Sequence, residues 1–142
     1  MIILDTNVVS EGLRRDAHPQ VRIWLNAQPA EELFLCTPVM AELTYGVELL
    51  PAGARRRALE QAIASLEDAF AERILPFDLA AARAYGKFVA TRDRLGRATG
   101  SMDGLIAGIA LVHGAVIATR DTYRFDNAGI DLINPFDVKL KG

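Results

Sequence analysis

The sequence is poor in several things at once, and each shortage removes a class of protein. Its 142 residues include one cysteine and two histidines. The lone Cys36 forms no internal disulfide, and its place in the apolar run LFLC marks it as a core residue. No oxidising compartment is implied. His18 and His113 stand far apart in the chain, which makes a histidine acid–base pair a poor expectation. No apolar run approaches the ~20 residues of a membrane span. The N-terminal apolar run has no basic lead and is too short for a signal peptide. Excess positive charge is also missing: 16 Lys and Arg face 18 Asp and Glu, for a net charge of -2. That balance argues against general electrostatic attraction to nucleic acid and leaves room for a local basic patch. No GxGxxG follows the first apolar run, so a dinucleotide-binding dehydrogenase is poorly supported. These absences lead to the expectation of a soluble cytoplasmic protein.

What is present is a globular composition, 51% hydrophobic and 24% charged. A chain of this length makes one domain and buries roughly 68–70% of its unfolded surface. Residues 2–4 (IIL), 33–36 (LFLC) and 115–119 (AVIAT) are apolar without alternation, as in strands buried on both faces. ILPF and IDLI are shorter extended pieces. Helical patterns cover residues 19–27, 38–50, 54–73, 79–95 and 102–113. Thr37 is expected to cap the second of these ahead of Pro38, and Ser101 the last. Gly96 and Gly114 are stop signals. Strands alternating with helices predict an α/β fold with a mainly parallel sheet. The helices at 54–73 and 102–113 are expected to leave apolar surface for a partner.

Four acids stand in otherwise apolar surroundings. Asp5 ends MIIL; Glu42 is the only charge between Leu33 and Val47; Asp103 begins the helix MDGLIAGIALVHG; Asp121 follows AVIATR. Each lies near the C-terminal end of a strand or the N-terminal part of a helix. In a parallel sheet those ends share one edge, where open α/β folds bind ligands. Taken singly, each acid also has an ordinary explanation. Asp5 suits a helix cap, Asp103 a helix-dipole residue, Glu42 a solvated border position and Asp121 a turn former. Taken together, two carboxylates ~6 Å apart repel by roughly 2–3 kcal/mol at an effective dielectric near 20. A cluster of four therefore calls for protons or cations. Oxygen ligands alone select hard cations, Mg²⁺ or Mn²⁺, which keep waters and complete their shell with phosphate. The chemistry implied is metal-assisted hydrolysis of a phosphoester.

The ordered set LDTNVVSE, AELTYGVELL, SMDGLIAGIA and ATRDTYRF, with RILPFD and the late NPF, resembles the PIN-domain ribonucleases over essentially the whole chain. The resemblance is to VapC-type toxins of toxin–antitoxin pairs and, within them, the FitB-like group. It implies a single Rossmann-like PIN domain over residues 1–142 and a Mg²⁺-dependent endoribonuclease, with Mn²⁺ as a substitute. It also implies a homodimer, an RNA substrate and a small cognate antitoxin that binds DNA. By matching motifs, Asp5 and Asp103 would be the principal metal ligands. Glu42 and Asp121 would complete the catalytic acids, and Thr6, Asn7 and Thr119 would orient them. Many relatives carry an acid just before the phenylalanine that follows the last motif. Here that position is Arg124, which leaves Asp121 as fourth acid with Asp126 as its rival.

Basic residues at Arg14, Arg15, Arg55, Arg56, Arg57, Arg92, Arg94 and Arg97 are candidates either for phosphate contact or for plain solvation. With no RNA-binding module appended, specificity must come from loops and shape. Two alternatives stay open at this point: a non-catalytic regulator on the same fold, and a phospho-acceptor signalling domain. The second would call for an acidic pair after the first strand and a late lysine, whereas this chain has Asp5-Thr6-Asn7 and Thr119-Arg120.

Overall fold

The computed structural model describes residues 1–138; residues 139–142 of the expected domain lie outside the described residues. Five short strands, β1 (Ile2–Leu4), β2 (Leu33–Cys36), β3 (Ile74–Leu75), β4 (Val116–Ala118) and β5 (Leu132–Ile133), form one sheet in the order β3-β2-β1-β4-β5. Every pairing is parallel, with Ile3 opposite Phe34 on one side and Ile117 on the other. Ile3, Leu35 and Ile117 are wholly buried, which is why these strands read as unbroken apolar runs. The chain builds outward from β1 through β2 to β3, then returns to the other side of β1 for β4 and β5. The strand order therefore reverses between β1 and β4, the place where such sheets open a crevice.

The helices are α1 (Thr6–Leu13), α2 (Pro19–Ala27), α3 (Thr37–Glu48), α4 (Ala54–Ala69), α5 (Leu79–Arg94) and α6 (Ser101–His113). Among the described residues no helix is long and apolar enough to cross a membrane. Both expected caps are displaced by one residue. Cys36 and Gly100 occupy the N-cap positions, and neither makes a side-chain cap bond. Thr37 is already helical, and its hydroxyl accepts from the Phe77 amide at 3.1 Å, tying α3 to the segment after β3. The helix expected over 54–73 stops at Ala69. The Arg73 guanidinium then folds back to donate to the carbonyls of Ala69, Leu33 and Ala30. Gly114 ends α6 in the left-handed conformation, φ 60°.

The α6 helix does not offer the spare apolar surface expected of it. Gly104, Ile106, Ala107, Gly108, Ile109 and Ala110 are all buried. Its two glycines let α5 approach closely: a Cβ on Gly108 would lie 2.5 Å from the Ala81 carbonyl oxygen, and one on Gly104 would lie 2.6 Å from the Tyr85 ring. On α4 only Ile63 is fully buried, with Leu59, Leu66 and Phe70 partly covered.

Candidate active site

Four chain segments meet at the C-terminal edge of the sheet. Continuing the β1–β4 ladder, the Asp5 amide donates to the Ala118 carbonyl at 2.9 Å. Asp5 is thus fixed by backbone pairing before its side chain does anything. It is also the N-cap of α1, accepting from the Thr6 amide at 2.8 Å through Oδ1. Its Oδ2 accepts from the Thr119 hydroxyl at 2.7 Å and from Asn7 Nδ2 at 3.1 Å. The capping explanation holds for this residue.

Thr119 is wholly buried at the end of β4. Its hydroxyl donates to Asp5 and accepts from the Asp121 amide at 3.0 Å. Asn7 ties the same two strand ends together: Nδ2 also lies 3.3 Å from Asp121 Oδ2, and Oδ1 accepts from the Arg120 amide at 3.2 Å. On the α3 side, Glu42 accepts from the Thr6 hydroxyl at 2.9 Å. Thr6, Asn7 and Thr119 thus hold carboxylates in place.

Asp5, Glu42, Asp103 and Asp121 line one pocket of about 210 Å³, together with Thr6, Asn7 and Arg124. The structure thus brings together all four acids singled out by sequence. Asp126 is elsewhere: its Oδ1 accepts from Arg92 and Arg97, each at 3.0 Å. Arg92 is only 2% exposed and donates to Thr99, to Asp126 and to the Tyr123 carbonyl. It braces the turn that carries Asp121 and is out of reach of any phosphate. Arg56 is spoken for by Glu48 and Glu60. Arg14 pairs with Glu11 and Asp16, and Arg14, Arg15 and Arg55 line a separate pocket beside α1 and α4.

The electrostatics match a crowded acidic site. Burial pushes the Asp5 carboxyl up, against the bonds from Thr119 and Thr6, with Asp121 adding repulsion. Asp103 is raised from 3.8 to about 6, again chiefly by burial; Arg124 opposes, while Asp5, Glu42 and Asp121 add repulsion. Burial also lifts the Cys36 thiol to about 12, which leaves it an inert core group.

A hard divalent cation fits this donor set. Four of the seven residues lining the pocket are carboxylates, and Asp5 Oδ1 keeps a free lone pair after accepting from Thr6. Among the described residues no three acids, histidines or cysteines close on a single point. The acids instead ring a shared space. Such a space would take a hydrated ion touched by few carboxylates. Among the described residues no lysine lines the pocket, and Arg120 is stacked 3.9 Å over the Phe136 ring. This is not the arrangement of a phospho-acceptor domain. The exposed His18 and His113 are absent from the lining, and His113 stands at the opposite end of α6 from Asp103.

Sequence reasoning missed α1 as a helix and the bracing by Arg92. It did flag Arg124, whose guanidinium lies 4.0 Å from Asp103 and 3.7 Å from Asp121.

Comparison with known proteins agrees with this geometry. The PIN domain family model matches residues 2–130. A VapC ribonuclease of Sinorhizobium fredii is 42% identical over 138 residues, covering 96% of this chain and 99% of that protein. Toxin FitB of Neisseria gonorrhoeae is 38% identical over 137 residues, covering 96% and 99%. The solved structure of FitAB bound to a DNA fragment superposes with a TM-score of 0.93 at 36% identity over the full length of both chains. With the strand order, the acidic pocket and near full-length similarity in agreement, the chain belongs to the PIN-domain family, in the group that includes VapC ribonucleases and toxin FitB.

Proposed function

We propose that the chain is a Mg²⁺-dependent endoribonuclease, the toxin of a toxin–antitoxin pair, acting at the pocket of Asp5, Glu42, Asp103 and Asp121. The observation that carries this reading is the convergence of four acids at the strand-order reversal, with Asp5 and Asp103 both pushed upward. Asp5 and Asp103 would hold the ion, with Glu42 and Asp121 contacting it directly or through water. When bound, Mg²⁺ would neutralise charge on a phosphodiester and lower the pKa of a water.

The residues around the acids supply order. Thr119 and Asn7 fix Asp5 Oδ2, and the Thr6 amide fixes Oδ1. Thr6 fixes one oxygen of Glu42. Prior fixing means little reorganisation is needed when charge develops on the substrate. The names of the relatives, a VapC ribonuclease and toxin FitB, support RNA as substrate and a toxin's role. The FitAB complex on DNA supports a small DNA-binding antitoxin as partner. We expect a homodimer in the cytoplasm.

The test is cleavage of RNA by the purified chain in Mg²⁺, in EDTA and as Asp5→Asn. Cutting in Mg²⁺ alone, lost in the variant, is the expected result. Cutting by Asp5→Asn at the wild-type rate would remove this pocket from the reaction, and no cutting under any condition would favour the non-catalytic regulator.

A further inference from the structure

The acidic pocket already contains one positive charge, and the chain supplies it. Arg124 ends the 3-10 turn Thr122–Arg124, directly after Asp121. Its Nη1 lies 4.0 Å from Asp103 Oδ2 and its Nη2 lies 3.7 Å from Asp121 Oδ2. Both distances exceed hydrogen-bond length, so charge rather than directed bonding holds the guanidinium there. Among the described residues its anchors are weak: the guanidinium lies 5.8 Å from the centroid of the exposed Tyr123 ring. Its one side-chain hydrogen bond among the described residues runs from Nε to the exposed Tyr123 hydroxyl at a long 3.4 Å. The side chain is 44% exposed. Arg92 makes the contrast: sealed from water and donating to three residues, it is locked in place. One arginine is structural, and the other is merely parked among the acids.

We propose that Arg124 is a tethered counter-cation of the acidic pocket, which must swing aside for the divalent ion and so sets how tightly this chain binds it. This rests on the metal reading given above. A guanidinium and a divalent ion drawn to the same two carboxylates repel each other, and the ion must outcompete the tether. The tether is long, flexible and open to water, so it can leave without unfolding anything. Without metal, its charge offsets part of the repulsion among the acids. Loss of the charge should therefore have two opposite effects: the metal-free protein becomes less stable, and its affinity for metal rises. An arginine that merely built the site would lower both.

The experiment titrates Mn²⁺ into the full chain at neutral pH and low salt, following free Mn²⁺ by electron paramagnetic resonance. It compares wild type with Arg124→Gln and Arg124→Lys, with melting temperatures taken in EDTA and in Mn²⁺. The glutamine variant should bind Mn²⁺ on the order of tenfold more tightly. It should melt lower in EDTA and gain more from Mn²⁺ than wild type does. The lysine variant, keeping the charge, should stay close to wild type in both readings. Equal or weaker binding by Arg124→Gln would overturn the proposal while leaving the metal site intact. Failure of both wild type and Arg124→Gln to bind Mn²⁺ at millimolar concentration would overturn the metal reading itself, and with it this proposal.

Discussion

Asp103→Asn should make the metal-free protein more stable while removing its activity. The Asp103 carboxyl is raised from 3.8 to about 6, mainly by burial, and its side chain is only 16% exposed. A raised acid favours the protonated folded state. Between the two pKa values the folded chain holds a proton that the unfolded chain has released. Stability therefore falls as pH rises from about 4 through 6, and stays reduced above that. A shift of about 2 units corresponds to about 3 kcal/mol at neutral pH. Asparagine keeps the shape and carries no charge, so it escapes this penalty. For a chain of this size the gain is a melting temperature raised by roughly 10 °C. Thermal melts in EDTA at about pH 7.5 and about pH 4 make the check, since near the lower value the difference should vanish. Millimolar Mg²⁺ adds a second reading. An ion at a hundredfold over its dissociation constant stabilises by about 2.7 kcal/mol, and that gain should shrink sharply in the variant. The opposite outcome at neutral pH, a variant that melts lower, would mean that the ionised Asp103 serves the N-terminus of α6 through the helix dipole, worth about 0.3–1 kcal/mol. The reasoning from burial and repulsion would then be refuted.

Three further outcomes are expected. Thr119→Val keeps the volume but leaves the Asp121 amide without its side-chain partner and Asp5 Oδ2 with Asn7 alone; it should cost about 1–3 kcal/mol in denaturant melts and slow RNA cleavage. Arg92→Ala removes the donor that holds Tyr123, Thr99 and Asp126; because Asp126 is half-exposed and keeps Arg97, the cost should be about 1–3 kcal/mol, with faster amide exchange in residues 121–126. Gly108→Ala drives a Cβ into the α5 backbone and should cost about 1–3 kcal/mol, whereas Gly46→Ala, with open space beside it, should be neutral or gain up to about 1 kcal/mol.

The sequence carried the sheet well because a strand buried on both faces has to be apolar throughout, as IIL, LFLC and AVIAT are. The acids stood out for the same reason, each being a charge where the pattern allows none. Helix α1 was hidden because TNVVSEGL contains two β-branched valines and a glycine, all weak helix formers. It is helical because Val8 and Val9 are buried in the core and Gly12 sits close against Leu25. The cap of α3 slipped by one residue because the Thr37 hydroxyl accepts from the Phe77 amide, a partner distant in sequence. Arg92 was unreadable for a similar reason. A basic residue on a polar helix face looks solvated, and only the fold of residues 123–126 over it makes it a buried brace. The same fold withdraws Asp126 from the pocket and leaves Asp121 there. Arg124 was visible as a departure from the family pattern, but its approach to two carboxylates depends on a 3-10 turn that no periodicity announces.

The central claim is that this carboxylate pocket cuts RNA by hydrolysis, and the chemistry of the cut ends tests it most directly. Neither histidine lines the pocket, so no side-chain pair stands ready there to drive attack by the neighbouring 2′-hydroxyl. Attack by water on phosphorus, with the 3′ oxygen leaving, gives a 5′-phosphate and a free 3′-hydroxyl. Fragments made by the purified chain should ligate to a 3′ adapter without phosphatase treatment. Their formation should stop in EDTA and in Asp5→Asn, and continue in His18→Ala and His113→Ala. Cyclic-phosphate ends, or cutting that persists in EDTA, would contradict the account.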